Sequence, residues 1–110
     1  MLDLATEVRI LKTGGRAVFA LSDFMPGDAI FTWDDSNIVT DEEYATLTPE
    51  QRTFVRPLGG TLTFMTDPMC YVQHAAQANA GSRRGKVFAV KEIHAGEEIT
   101  INFEHPDARL

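Results

Sequence analysis

The chain has 110 residues, of which 44% are hydrophobic and 24% are charged, and its formal net charge is −6. This length fits one domain with its own core, and the composition excludes a disordered tail, a collagen-like repeat and a coiled coil. The negative charge disfavours binding to nucleic acid, because phosphates would be repelled.

Neither a membrane span nor a signal peptide is expected. No apolar run approaches the ~20 residues that a membrane helix needs, and charged residues interrupt the N-terminal segment. The single cysteine, Cys70, excludes an internal disulfide and any multi-cysteine zinc site. We therefore expect a cytoplasmic protein with no metal site and no membrane partner.

Most of the predicted elements are β-strands. Thr61-Leu62-Thr63-Phe64, for example, alternates polar and apolar residues as a half-buried strand does. The predicted strands, in chain order, are Glu7–Leu11, Val18–Ala20, Ile30–Trp33, Thr61–Met65, Val87–Ala89 and Ile99–Phe103.

A helical insert separates the third predicted strand from the fourth. Thr40 stands three residues before Glu43, which is the capping-box pattern of a helix start. Thr48 and Gln51 repeat the pattern, with Pro49 at the first helical position. The two predicted helices span about 41–46 and 49–55, within an insert of about 40–57.

An internal repeat covers thirteen residues. Val18–Ile30 aligns without gaps onto Val87–Ile99, and five of the positions are identical. Each copy is interpreted as a hairpin-like corner, in which a glycine joins two short strands. Two such corners predict a pseudo-symmetric, mostly β fold, and chance similarity between two ordinary hairpins is the alternative.

The segment Asp67–Ala80 is not periodic and combines chemically active side chains with small ones. It holds Tyr71, His74 and Asn79 among several alanines. Small residues let the backbone approach a ligand closely. The alternative is a buried loop in which His74 and Asn79 bind main-chain groups.

Three motifs in order resemble a SET domain. The first is Gly15-Arg16-Ala17-Val18-Phe19-Ala20, which is similar to the family's G-x-G-x-F-A. The second is Tyr71-Val72-Gln73-His74 with Asn79. Its last three named residues, Gln73, His74 and Asn79, fall at the first asparagine, the histidine and the final asparagine of the family's N-H-S-C-x-P-N, and Tyr71-Val72 precedes them. The third is Gly96-Glu97-Glu98-Ile99-Thr100-Ile101-Asn102-Phe103, which is similar to G-E-E-L-T-x-x-Y. The resemblance runs from about residue 9 to residue 103.

The resemblance implies one SET-like domain over residues 1–110. Its fold would be a SET-type β-clip, mostly β with a small helical insert and a knot-like C-terminal threading. Relatives of this kind are protein lysine methyltransferases, which bind S-adenosylmethionine on one face and admit the lysine through a channel from the other. In them, backbone carbonyls and a tyrosine hydroxyl hold the methyl group and the amine.

The resemblance also implies which residues form the site. The cofactor would contact five positions in the first two motifs, namely Gly15, Arg16, Ala17, Gln73 and His74. Of these, Ala17 stands where the family has glycine, and Gln73 stands where it has asparagine.

The catalytic tyrosine of the family falls at Phe103, which keeps the ring and lacks the hydroxyl. If that hydroxyl orients the amine, its loss would cost on the order of 10²-fold in rate, as for other preorganised donors. Tyr71 lies beside the second motif and is the candidate to line the catalytic site.

Three functions compete on these residues. The first is a minimal protein lysine methyltransferase acting on a basic protein or a lysine-containing peptide, with homodimers covering the site. The second is a non-catalytic SET-fold module, favoured by Phe103, Ala17 and Gln73 together. The third is another β-clip domain, such as the SAF or type III antifreeze class, which the helical insert disfavours.

Overall fold

The computed structural model describes residues 5–107, and strands dominate that part of the chain. The predicted class, mostly β with a small helical insert, is confirmed. Each predicted strand is present, with ends shifted by at most two residues. In chain order the elements are β1 (Thr6–Ile10), β2 (Arg16–Ala20), β3 (Ala29–Thr32), α1 (Asp41–Thr46), α2 (Pro49–Arg52), β4 (Val55–Leu58), β5 (Thr61–Phe64), a 3-10 turn (Met69–Tyr71), β6 (Gln73–His74), β7 (Ala80–Arg83), β8 (Lys86–Ala89) and β9 (Glu98–Ile101).

One seven-stranded sheet runs through the molecule in the order β1-β2-β9-β7-β8-β3. Strand β6 pairs with β9 in parallel, off this path. Strands β4 and β5 form a separate antiparallel pair. Because β9 contacts β2, β6 and β7, it brings the third motif beside the first and the second.

The two copies of the internal repeat pair with each other about a pseudo-twofold axis. Strand β2 pairs with β9, and β3 pairs with β8. Gly27 donates its N–H to the carbonyl of Ala89, and Gly96 donates to that of Ala20, both at 2.8 Å. These bonds are symmetry mates under the repeat offset, so the predicted pseudo-symmetry is present.

The interpretation of each copy as a hairpin is wrong. Strands β2 and β3 lie far apart in the sheet order, and the chain between them crosses from one pair of strands to the other. At its middle, Phe24 pairs with Ile93 of the second copy, and both side chains are buried. The corners form hydrogen bonds with each other, which a self-contained hairpin would not do.

Both predicted capping boxes are formed. The Thr40 hydroxyl accepts from the backbone N–H of Glu43 at 3.1 Å, and the Thr48 hydroxyl accepts from that of Gln51 at 3.2 Å. Helix α2 ends three residues earlier than predicted. The reason is Val55, which is buried and pairs with β5 as the first residue of β4.

The last predicted strand also ends earlier, at Ile101. The side-chain oxygen of Asn102 accepts from the backbone N–H groups of Glu104 and His105, at 3.0 and 3.2 Å. This local turn replaces ladder bonds and bends the chain away from the sheet. Phe103 therefore lies beyond the strand end.

The main apolar core is lined by the inner faces of the sheet strands and the 3-10 turn. It includes Val18, Ile99, Ile101, Met65 and Met69, none of which is exposed. In β5 the buried residue is not one of the apolar ones that the alternating pattern favours. It is the polar residue Thr63, with only 3% exposed. No helix among residues 5–107 is long and apolar enough to cross a bilayer.

Candidate functional site

A cavity of about 560 Å³ opens where the β1–β2 turn, the end of the helical insert and the 3-10 turn meet. This volume lies in the range of small-molecule sites. The lining comprises Gly14–Arg16, Thr53–Phe54, Arg56, Cys70–Tyr71 and Gln73.

Two glycines leave open space at one side of the cavity. Gly14 has φ +92°, a conformation that L side chains rarely adopt, and its N–H closes a turn onto Leu11 at 2.9 Å. A Cβ placed on Gly14 or on Gly15 would meet no atom within 4 Å. The backbone at Gly14 and Gly15 is therefore an open cradle on this side of the cavity.

The side chains of Arg16, Tyr71 and Gln73 hold the first two motifs together. The amide of Gln73 donates to the carbonyl oxygen of Arg16 at 2.5 Å. The guanidinium of Arg16 donates to the Tyr71 hydroxyl at 3.3 Å and lies 5.4 Å from the centre of its ring. The extra methylene of Gln73 thus lets it reach the backbone of β2.

The second and third motifs meet at His74 and Phe103. The exposed ring of His74 accepts at Nδ1 from the backbone N–H of Phe103, at 3.1 Å. The two rings are stacked, with their centres 6.1 Å apart and their planes at 28°. The Phe103 ring is buried, with 7% exposed. The third motif is therefore anchored to the second.

Arg56, which the sequence analysis did not single out, covers the Phe103 ring. Its Cζ lies 4.1 Å from the ring centre. The same guanidinium donates to the carbonyl oxygens of Val72 at 2.5 Å and Cys70 at 3.4 Å. Burial lowers the pKa of Arg56, because the protein solvates its charge less well than water. Strand β4, which carries Arg56, was itself unpredicted.

Cys70 is a half-buried thiol rather than a nucleophile. Burial raises its pKa, and the negative charge of Asp67 acts in the same direction. The thiolate is therefore disfavoured at neutral pH, which does not suit a nucleophile.

Asn79 fastens the chain after the second motif to β9. Its side-chain N–H donates to the carbonyl of Glu98 at 2.8 Å, and its side-chain oxygen accepts from the backbone N–H of Thr100 at 2.9 Å. The asparagine thus replaces ladder bonds between the two segments, which is a structural role.

A family model of the SET domain matches residues 15–104. The chain belongs to the SET-domain family. The match spans most of the chain and decides against the other β-clip classes. A search of curated proteins found no significant match.

Solved structures share the fold of this SET domain. A Plasmodium falciparum protein assigned as a histone methyltransferase is 15% identical and superposes with a TM-score of 0.66, over 93% of this chain and 95% of its own. The ctPRC2 structure, in an autoinhibited conformation bound to S-adenosylmethionine, is 18% identical with a TM-score of 0.68, over 98% of this chain and 16% of that one. An active polycomb repressive complex 2 in its basal state is 20% identical with a TM-score of 0.66, over 89% and 15%. This chain spans about a sixth of the two polycomb chains, and the likeness to all three shows the fold.

The SET motifs converge only in part on the cavity. Gly15, Arg16, Tyr71 and Gln73 line it. Ala17 is fully buried, and neither it nor His74 belongs to the lining, so their contact with a cofactor stays a prediction. Phe103 lies behind Arg56.

The cavity residues that the motifs did not predict are Gly14 and Cys70, which lie beside the first two motifs, and three residues from the helical insert. The three residues from the insert are Thr53, Phe54 and Arg56. Motif matching could not find them, because the insert carries none of the three motifs. Among residues 5–107, no group of three or more metal-ligating side chains is close enough to hold a metal ion.

Proposed function

We propose that the cavity binds S-adenosylmethionine and that the chain is a SET-type protein lysine methyltransferase acting on a basic protein. The observation that carries the proposal is the convergence of two motifs on one cavity. Gly15 and Arg16 of the first motif line it together with Tyr71 and Gln73 of the second. The ctPRC2 structure of the same fold is bound to this cofactor, which supports the assignment.

The residues present fit the cofactor. The open backbone at Gly14 and Gly15 would receive it, the Tyr71 ring would pack against it, and the Gln73 amide would bind its polar end. When bound, S-adenosylmethionine supplies an electrophilic methyl group on a sulfonium. The chain itself has to exclude water and orient the lysine amine, which accounts for most of the rate gain in such a transfer.

The substrate amine has to be neutral to react, and free lysine has a pKa of about 10.4. Transfer from water into the half-buried cavity would lower that pKa, because desolvation disfavours the charged amine. Phe103 offers no hydroxyl to hold the amine. We therefore expect slow transfer by the unaltered chain.

A basic partner matches the charge of the chain. The net charge is −6, and exposed acidic residues cluster before and within α1, namely Asp34, Asp35, Asp41, Glu42 and Glu43. Hydrogen bonds from Ser36 lower the pKa of Asp34, so that carboxylate stays ionised at neutral pH. A cytoplasmic location and a homodimer belong to the same proposal, and light scattering would test the dimer through its mass.

A non-catalytic SET-fold binding module is the second candidate. Two observations favour it. The family tyrosine position holds Phe103, and the guanidinium of Arg56 covers the face of that ring. A module of this kind would bind a basic partner without transferring a methyl group.

A methyl-transfer assay separates the two candidates. Labelled S-adenosylmethionine is offered with a lysine-rich histone to the unaltered chain and to Phe103→Tyr. We expect weak transfer that rises on the order of 10²-fold in Phe103→Tyr, because the ring regains a hydroxyl donor. The matched control is Phe19→Tyr, since Phe19 also lies under an arginine, with Arg9 Cζ at 4.6 Å, but Arg9, unlike Arg56, does not line the cavity.

The outcomes divide cleanly. Transfer by the unaltered chain would reject the non-catalytic module. The unaltered chain could instead bind the cofactor and transfer no methyl group. If Phe103→Tyr then transfers the methyl group and Phe19→Tyr does not, catalysis by the unaltered chain is rejected and a degenerate enzyme is supported.

A further inference from the structure

Strand β1 forms one edge of the seven-stranded sheet, and among residues 5–107 it pairs with β2 alone. Two hydrogen bonds at its ends show which backbone groups face β2. The carbonyl oxygen of Ala5 accepts from the N–H of Leu21 at 2.8 Å. The N–H of Leu11 donates to the carbonyl oxygen of Gly15 at 2.7 Å. Because hydrogen-bonded pairs alternate along an antiparallel ladder, the odd-numbered residues of β1 bond to β2, and the even-numbered ones direct their N–H and C=O groups to the open side.

The open side of β1 can receive another strand. Its outward backbone groups belong to Thr6, Val8 and Ile10, and a row of such groups at a sheet edge is a template for pairing with a second chain. The side chains of Val8 and Ile10 are apolar, yet 37% and 73% of them are exposed. A strand added at this edge would bond to the backbone groups and cover both side chains.

The charges of β1 select a second copy of the same strand as the partner. Glu7 and Arg9 form an ion pair on one face of β1, and their side chains remain 40% and 46% exposed. In an antiparallel pair of β1 strands with its twofold axis at Val8, Glu7 of each copy lies directly opposite Arg9 of the other. The four charges then alternate in sign, so each cross-strand pair is attractive. The same axis sets Val8 of one copy against Val8 of the other, at a hydrogen-bonded position.

The other edge of the sheet, β3, lacks these features. Its pairing with β8 shifts register between Ala29 and Phe31, and such an irregularity hinders pairing from edge to edge. Strand β3 also carries no charged side chain, so no charge pattern selects a second copy. Of the two edges, β1 is the one whose own side chains fit a twofold pair.

We propose that β1 is the dimer interface of this chain, and that two copies pair antiparallel along it with the twofold axis at Val8. The inference rests on the homodimer of the proposed function and names the surface that forms it. The sheet then continues from one copy into the other. The turn at Gly14 and Gly15, which lines the cavity, follows β1 directly, so pairing stabilises the hairpin that carries this side of the site.

Charge reversal tests the interface and its register together. Sedimentation equilibrium compares the dimer dissociation constant of the unaltered chain with those of Glu7→Arg and Arg9→Glu. We expect each variant to dimerise at least about tenfold more weakly, because like charges then lie opposite each other at two positions. An equimolar mixture of the two variants should regain the affinity of the unaltered chain, because one copy then carries only positive charges on this face and the other only negative ones.

The matched controls are Glu50→Arg and Lys91→Glu. Both residues are exposed and lie outside β1. The two substitutions change the net charge as Glu7→Arg and Arg9→Glu do, so they separate a local effect from a general one. Their dimers should be as stable as that of the unaltered chain, and circular dichroism checks that every variant is folded.

Hydrogen exchange followed by NMR tests the pairing without any substitution. The amide of Val8 should exchange more slowly as the protein concentration rises, because its N–H bonds to the second copy. The amide of Arg9 faces β2 and is bonded within one copy, so its exchange should depend far less on concentration.

Three results would count against the proposal. A monomer mass of the unaltered chain at high micromolar concentration would overturn the interface and the homodimer together. Equal dimer affinity of the unaltered chain, Glu7→Arg and Arg9→Glu would overturn the interface alone and assign the homodimer to another surface. A mixture that does not regain affinity would overturn the antiparallel register. None of these measurements involves S-adenosylmethionine, so a failure of cofactor binding or methyl transfer would reject the methyltransferase and not the interface.

Discussion

At the scale of residues, two features distinguish the site: Phe103 lacks the hydroxyl of the family tyrosine, and Arg56 covers the Phe103 ring. The third motif places the family's tyrosine position at Phe103, whose ring lacks the hydroxyl. Arg56 could not be found in this way, because it comes from the helical insert and reaches Phe103 only after folding. Motif spacing identifies groups that a family shares, whereas a contact particular to this chain depends on three-dimensional packing.

The thiol of Cys70 gives a prediction at the same scale. Burial and the charge of Asp67 raise its pKa, so less thiolate is present at a given pH than in a free cysteine. We expect iodoacetamide to alkylate it slowly at pH 8, with a rate that still rises at pH values where free cysteine has levelled off. Because Cys70 is the only cysteine, mass spectrometry of the intact chain measures this rate.

S-Adenosylmethionine provides the control for that measurement. Cys70 lines the cavity, so the bound cofactor should slow its alkylation further. A rate equal to that of free cysteine, with an ordinary pH profile, would contradict the raised pKa.

At the scale of elements, the sequence predicts the strands whose own residues favour a strand. It does not predict β4 and β7, which form through pairing with neighbouring strands. Strand β4 contains Pro57, which removes a backbone donor and disfavours a strand. Strand β7 begins Ala80-Gly81-Ser82, whose small side chains have little strand preference. Both form because a partner lies alongside, and for β7 the partners are β8 and β9.

Gly81 shows how closely β7 is packed. A Cβ there would meet the Phe88 ring and the carbonyl oxygen of Pro106, each at 3.0 Å. We expect Gly81→Ala to lower the free energy of unfolding by about 1–3 kcal/mol, because the backbone has to shift. Urea denaturation followed by circular dichroism measures the change.

The control is Gly15→Ala, which adds the same methyl group where no atom lies within 4 Å. Its stability should stay within about 0.5 kcal/mol of the unaltered chain. Equal stability of Gly81→Ala and the unaltered chain would show that β7 tolerates the methyl group.

At the scale of the whole molecule, the repeat predicted pseudo-symmetry but not connectivity. Sequence similarity indicated that the two copies fold alike, which is correct. It did not indicate that each copy pairs with the other, because hydrogen bonds between distant segments leave no periodic pattern. That mutual pairing places β9, which belongs to the third motif, beside β2 of the first motif, and β6 of the second motif also pairs with β9. The predicted knot-like threading stays a prediction.

The central claim is that this cavity binds S-adenosylmethionine, and calorimetric titration of the cofactor tests it most directly. The account predicts saturable one-to-one binding to the unaltered chain. In Gly15→Ala, binding should be about tenfold weaker, because the added methyl group occupies the cradle without unfolding the protein. The absence of binding to the unaltered chain at high micromolar cofactor, with the protein shown to be folded, would contradict it.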